Sequence, residues 1–152
     1  MAIEEVTGDK IAALKAMPKR VTNPAARFRD EERYERKDFS VSGEGDHEFK
    51  IYWRRNKGDE DDFSCGIRWL MPSGETLTLA RYNGPSHIHH DIKFKCHIHK
   101  ATEEAIRGGK KPESYAEEST EYSTPDGALY CLARDFNVSG IRTEPDHPDL
   151  FR

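Results

Sequence analysis

The sequence predicts an α+β domain in which an antiparallel meander of about five strands packs against helices on one face. Two observations predict this fold class. Between residues 34 and 99, apolar and polar side chains alternate with a period of two, and short polar turns separate the runs. On either side of this region, apolar residues recur at helical spacing. The sheet is expected either to lie open beneath its helices or to curl strongly around one of them.

The first part of the chain is expected to hold a short helix and a connector. Residues 8–17 are rich in alanine, and Pro18 ends the helix because proline lacks the amide hydrogen that a helix needs. Residues 18–33 are polar and basic, which favours a connector. We therefore divide the chain into an N-terminal helix with its connector (1–33) and a single α+β region (34–152), with one domain overall.

Four strands are expected between residues 34 and 82, with polar turns at 42–46, 56–62 and 72–74. A fifth strand is expected over 92–99. One face of this sheet is apolar, and the helices should cover it. The apolar positions on that face are Phe49, Ile51, Trp53, Phe63, Cys65, Ile67, Trp69, Leu77, Leu79, Phe94, Cys96 and Ile98.

The expected fifth strand has an unbroken alternation, so its two faces are predicted separately. Three apolar side chains are expected to be buried: Phe94, Cys96 and Ile98. Four polar side chains are expected to point away from that core: Lys93, Lys95, His97 and His99.

Two helical segments are expected after the sheet. Residues 100–107 favour one or two helical turns, closed by a pair of glycines, and residues 110–123 are expected to form a polar loop. The last helix should begin with Thr124 as its N-cap and Pro125 at its first position. The proline-containing tail that follows is expected to be irregular.

Charge and cysteine content restrict the class of protein. The 24 basic and 28 acidic residues give a net charge of −4, so a polyanion would have to bind a local basic patch. The three cysteines include no CxxC pair, which argues against a disulfide framework and against a cysteine zinc site. The sequence shows no signal peptide and no apolar stretch of membrane-spanning length. We therefore expect a cytoplasmic protein with no membrane partner.

The sheet face opposite the apolar one is basic and aromatic, whereas acidic residues concentrate in loops at 59–62 and 113–121. This asymmetry favours RNA or another polyanion as a partner. The residues that parity places on this face are Lys50, Tyr52, Arg54, Arg68, Tyr82, Lys93, Lys95, His97 and His99. The predicted substrate-binding residues are Lys50, Arg54, Arg68, Tyr82, Asn83, Lys93 and Lys95. A solvated face whose lysines protect the sheet from aggregation is the alternative.

Histidines are concentrated near the end of the sheet, where five of the seven fall within 13 positions: His87, His89, His90, His97 and His99. Because imidazole titrates near neutral pH, a pair can act as acid and base in RNA cleavage without a metal or other cofactor. Two histidines on one strand are poorly spaced to flank a phosphate, so His87 is the better second partner for His97 or His99. Arg81 is expected to hold the phosphate.

Two alternatives to catalysis by these histidines stay open. His87, His89, His97 and His99 together would suit a zinc site, which would indicate a metal-binding hydrolase. The same histidines are also compatible with purely structural roles.

Two motifs carry a resemblance to known bacterial proteins. They are Leu-Ala-Arg-Tyr-Asn-Gly-Pro-Ser-His at 79–87 and Cys-His-Ile-His-Lys-Ala-Thr-Glu at 96–103. The chain, over about 39–138, is similar to an uncharacterised bacterial family often of mobile-element type. More loosely, it resembles the TumE type of bacterial toxin. The matching motif positions are Arg81, Tyr82, Asn83, His87, His97 and His99.

The toxin resemblance implies a nuclease of RNase type. Together with the residues above, it leaves two main functions open: a toxin-like nuclease or RNA-binding protein, and a non-catalytic accessory module such as an antitoxin or mobile-element protein. A protein partner is expected in the second case. The sequence makes no prediction about oligomeric state.

Overall fold

The computed structural model describes residues 1–86 and 94–146. Within them, three α-helices follow a short 3-10 turn at Ile3–Glu5: α1 (Gly8–Ala16), α2 (Glu103–Arg107) and α3 (Pro125–Asp135). The strands are β1 (Lys19–Val21), β2 (Arg29–Glu31), β3 (Tyr34–Ser42), β4 (Glu48–Asn56), β5 (Phe63–Leu70), β6 (Thr76–Asn83), β7 (His97–Lys100), β8 (Tyr115–Glu118) and β9 (Val138–Ser139).

All nine strands belong to one open sheet, in the order β8-β7-β6-β5-β4-β3-β1-β9, with β2 also paired to β3. Every pairing is antiparallel except the short parallel pairing of β1 with β9. The α+β class with a largely antiparallel sheet is therefore confirmed, but the expected count of about five strands is too low. Four strands lie in segments expected to be connector, loop or tail: β1, β2, β8 and β9. Each has only two to four residues, and a period-two pattern cannot be recognised over so short a segment.

The apolar face of the sheet forms the core. Helix α3 packs against β4, β5 and β6, while α1 and α2 contribute Leu14 and Ile106 to the same hydrophobic cluster. Eleven of the twelve apolar positions expected on this face are buried: Phe49, Ile51, Trp53, Phe63, Cys65, Ile67, Trp69, Leu77, Leu79, Cys96 and Ile98.

Phe94 is the exception, because 75% of its surface is exposed. Its backbone lies in the left-handed region, with φ at 58°, and the chain bends at Phe94 and Lys95. Because this bend interrupts the extended chain, β7 begins only at His97. The expected strand over 92–99 is therefore wrong at residues 94–96 and confirmed from His97, while residues 92 and 93 lie outside the described residues. The burial of Cys96 and Ile98 is confirmed.

The helix ends follow the capping residues predicted from the sequence. Thr124 accepts a hydrogen bond from the Gly127 amide at 3.0 Å, and Pro125 opens α3. Helix α1 ends at Ala16, two residues before Pro18. No helix in the described part of the chain has the length and apolarity required to cross a membrane.

Candidate functional site

A β-bulge in β6 determines which residues reach the polar face, which we define as the face of the sheet opposite α3. Ile67 pairs with Ala80 whereas Arg68 pairs with Thr78, so Leu79 is an extra residue in β6. Leu79 and Ala80 are both buried. The alternation therefore changes phase, and the residues after the bulge turn the opposite way from simple parity.

The change of phase places Arg81 and Asn83 on the polar face and Tyr82 in the core. Tyr82 is 1% exposed, and its hydroxyl donates a hydrogen bond to Asp135 at 2.6 Å. The placement of Tyr82 on the polar face, expected from uninterrupted alternation, is therefore wrong.

Two rows of side chains cross the polar face at right angles to the strands. The first row is Arg36, Arg54, Ser64, Asn83, His97 and Glu118. The second row is Asp38, Tyr52, Gly66, Arg81, His99 and Ala116. Lys50 and Arg68 lie opposite each other in a third, shorter row. The sheet thus brings together, on one face, seven residues predicted separately from the sequence: Lys50, Arg54, Arg68, Arg81, Asn83, His97 and His99.

His97 and His99 are neighbours on this face, with ring centroids 5.2 Å apart. Both are buried, at 1% and 5% exposure. Their Nδ1 atoms lie 3.0 Å from the Lys95 carbonyl oxygen and 3.2 Å from the Glu113 carbonyl oxygen. A neutral ring in such a contact carries its proton on Nδ1, which leaves the lone pair on Nε2. Each histidine is therefore oriented with Nε2 as its basic atom.

Arg81 lies directly opposite His99 and beside a buried carboxylate. Its Nε atom is 3.7 Å from Oε2 of Glu113, whose side chain is 5% exposed. This Nε atom is buried and makes no hydrogen bond with any residue in the described ranges. Glu113 was not singled out from the sequence, because it lies within an acidic segment that was expected to be a polar loop. The contact with Arg81 on β6 distinguishes it.

A chain of hydrogen bonds runs along the polar face from Tyr52 to Asn83, which lies directly opposite His97 in the register. The Ser64 hydroxyl donates to Oδ1 of Asn83 at 2.7 Å, and the Tyr52 hydroxyl lies 3.4 Å from the same Ser64 oxygen. The Tyr52 ring lies over Gly66, where a Cβ atom would be only 2.6 Å from its Cε1. Burial raises the pKa of Tyr52, so this hydroxyl stays protonated at neutral pH.

The remaining predicted residues lie apart from this cluster or outside the described ranges. Lys95 precedes β7, has a 63% exposed side chain and forms an ion pair with Glu118 at 3.5 Å. Three predicted residues lie outside the described residues: His87, His89 and Lys93.

The structure describes two of the four histidines proposed as zinc ligands, His97 and His99. No group of three or more histidine, cysteine or acidic side chains suited to a metal ion occurs within residues 1–86 and 94–146. Two of the four ligands proposed for zinc, His87 and His89, fall outside these ranges. The pair that is described, His97 and His99, has the geometry given above.

Comparison of the chain with models of protein families, with curated proteins and with solved structures finds no significant match. The function must therefore be inferred from the residues of this chain, and the resemblance noted in the sequence stays a prediction.

Proposed function

We propose that this protein is a metal-independent, toxin-like ribonuclease whose site is built on β6 and β7. One observation carries the proposal: Arg81 lies directly opposite His99, and Asn83 directly opposite His97, on a face with further basic residues. This combines two groups able to transfer protons with a guanidinium able to hold a phosphate.

The proposed reaction uses the 2′-hydroxyl of RNA as its nucleophile. One imidazole accepts the 2′-hydroxyl proton through Nε2 while the oxygen attacks phosphorus. The O2′–P bond forms, the P–O5′ bond breaks, and a second imidazole donates a proton to the leaving O5′ atom. The products are a 2′,3′-cyclic phosphate and a free 5′-hydroxyl. Arg81 stabilises the negative charge that grows on the phosphate oxygens.

The acid and the base come from His97, His99 and His87 in this proposal. His97 and His99 are close, with centroids 5.2 Å apart, whereas the two reacting oxygens lie on opposite sides of phosphorus. His87 is therefore our candidate for the second proton-transfer group. The buried, unpaired thiols of Cys65, Cys96 and Cys131 agree with a reducing cytoplasm, where RNA is abundant.

A non-catalytic RNA-binding module, such as an antitoxin or mobile-element accessory protein, is the second candidate. The burial of His97 and His99 and their contacts with backbone carbonyls favour it, because these features also suit structural histidines. In this alternative the polar face binds RNA without cleaving it, and a protein partner completes the function.

An RNase assay in EDTA distinguishes the two candidates. The variants His97→Asn and His99→Asn keep a donor near the Nδ1 position and remove Nε2, so they preserve a structural role and abolish proton transfer. We expect at least one of the two to lower the cleavage rate by at least about 100-fold with an unchanged circular dichroism spectrum. Arg81→Ala should weaken both binding and rate, while the exposed Arg107→Ala serves as the control. Wild-type rates in both asparagine variants, or no cleavage by the wild type, would leave the binding module as the better explanation.

A further inference from the structure

Two pairs of like charges face each other across strands on the polar face. Lys50 pairs with Arg68, and Arg36 pairs with Arg54, in each case directly opposite in the register. Like charges in this position destabilise a sheet because their side chains are only about 5 Å apart. A local arrangement that opposes stability is expected where function requires it.

Three of these cations have no acidic partner among residues 1–86 and 94–146. Within the described residues, Lys50, Arg54 and Arg68 form no ion pair, although Arg36 is bonded to Asp38 at 3.1 Å. Arg55, the neighbour of Arg54 along β4, is bonded to Glu35 at 2.8 Å. The polar face near the centre of the sheet therefore carries three cations that pair with no acid in the described ranges.

Aromatic rings lie next to Arg54 and Arg68. The guanidinium carbon of Arg54 lies 3.6 Å from the centroid of the Tyr34 ring, and that of Arg68 lies 4.9 Å from the centroid of Tyr52. The Tyr34 hydroxyl donates to Asp62 at 2.6 Å, which holds the ring in place. A guanidinium that packs on a ring with one side can stack on a base with the other, and nucleobases stack on such planes.

We infer that the polar face binds a single-stranded RNA segment that extends from the histidines across β5 and β4. In this arrangement Arg54 on Tyr34 stacks against an unpaired base, while Lys50 and Arg68 contact backbone phosphates. The inference rests on the proposed function and adds to it the class of substrate, which is a single strand of several nucleotides.

The dimensions of the sheet support a strand longer than a dinucleotide. Arg54 and His97 belong to the same row, three strand spacings apart, which corresponds to about 14 Å. Stacking on Arg54 requires a base released from its neighbours, which a single strand provides and a duplex does not. Duplex RNA is therefore expected to bind more weakly through these residues.

The test measures binding without cleavage, so that it does not depend on the histidines. A fluorescently labelled 2′-O-methyl oligouridine of about eight nucleotides is titrated with the wild type, with Arg54→Ala and with the double variant Lys50→Ala/Arg68→Ala. Two variants serve as matched controls: Lys57→Ala next to β4 and Arg107→Ala on α2. Anisotropy is recorded over a series of salt concentrations, and a hairpin duplex is used as competitor.

We expect Arg54→Ala to weaken binding about 10-fold and to reduce the preference for the single strand over the duplex. The Lys50/Arg68 double variant should lower the salt slope by about 0.7 for each phosphate that the protein no longer neutralises. Equal affinities and salt slopes in all variants, absence of binding by the wild type, or equal binding of the duplex would overturn the inference. Absence of cleavage in EDTA with this binding pattern intact would instead remove only the proposed ribonuclease activity.

Discussion

The hydroxyl of Tyr82 donates a hydrogen bond to the carboxylate of Asp135 at 2.6 Å, which joins β6 to the last residue of α3. This contact lies on the core side of the strand that carries Arg81 and Asn83 on its polar side. It therefore connects the helix that covers the core to the strand that presents the candidate site.

We expect Tyr82→Phe to lower the free energy of unfolding by about 1–2 kcal/mol, because a donor to a charged group is removed from a partly buried position. The expected loss of stability lies toward the lower end of the range for hydrogen bonds to charged groups, because Asp135 is 23% exposed and keeps its bond to Arg134 at 2.9 Å. Urea unfolding measures the change. Tyr115→Phe, at a 51% exposed tyrosine, is the control and should fall within about 0.5 kcal/mol of the wild type. Equal effects of the two substitutions would contradict the role of the Tyr82 contact.

We expect Gly66→Ala to be destabilising by about 1–3 kcal/mol, because the new methyl group has no room. Its Cβ would lie 2.6 Å from Cε1 of Tyr52 and 2.9 Å from the Ala80 carbonyl oxygen. The carbonyl belongs to the β5–β6 ladder and cannot withdraw easily. Gly58→Ala provides the control, since the nearest atom there is 3.8 Å away. A Gly66→Ala protein as stable as the control would mean that Tyr52 moves without cost.

Glu113→Gln is expected to lower stability by about 1–2 kcal/mol, because it removes the charge facing Arg81. The effect is smaller than for a fully buried pair because the Arg81 side chain is 27% exposed. A double-mutant cycle with Arg81→Met measures the coupling by urea unfolding. The double variant should cost less than the sum of the single variants, and strict additivity would show that the two side chains do not interact energetically.

Lys19 provides a prediction on pH. Its side chain is buried, and its Nζ donates to the carbonyl oxygens of Lys15, Met17 and Phe136. Burial lowers its pKa from 10.5 to about 8. The unfolded chain therefore binds more protons than the native state between these two values, so this group's contribution to stability rises as pH increases.

The measurement for Lys19 is urea unfolding of the wild type and Lys19→Met at several pH values. The difference in unfolding free energy, wild type minus variant, should increase by about 3 kcal/mol from below pH 8 to above pH 10.5. A difference that is flat over this range would show that the pKa of Lys19 is not lowered.

The period-two pattern predicted β3 to β6 and the residues of the apolar face because each of these strands has eight or nine residues with one covered side. The helix caps could be predicted for a similarly local reason, since the Thr124 side chain accepts a hydrogen bond from the amide three residues later. These features depend on residues that are close together in the sequence, so a local pattern is sufficient to predict them.

Other parts of the site depend on contacts that no local pattern encodes. The bulge at Leu79 has no signature in the composition of β6, but it reverses the inward–outward alternation of the residues that follow. Tyr82 was therefore expected on the wrong face. The left-handed backbone at Phe94 lies within an apparently regular alternation. Glu113 lies in the turn before β8 and is recognisable only through Arg81, which is 32 positions earlier in the chain and on β6.

The bulge at Leu79 also has an evolutionary consequence. Before it, the core requires apolar residues at odd positions, Leu77 and Leu79, and after it at even ones, Ala80 and Tyr82. Substitutions in β6 are therefore subject to two constraints of opposite parity within one strand. If Leu79 were kept but β6 paired without the bulge, every later residue would shift by one position, turning Arg81 toward α3 and Tyr82 toward solvent. With Leu79 present, Ala80 and Tyr82 reach the core only through the bulge, so packing of the core selects for the bulge as well as for apolar side chains.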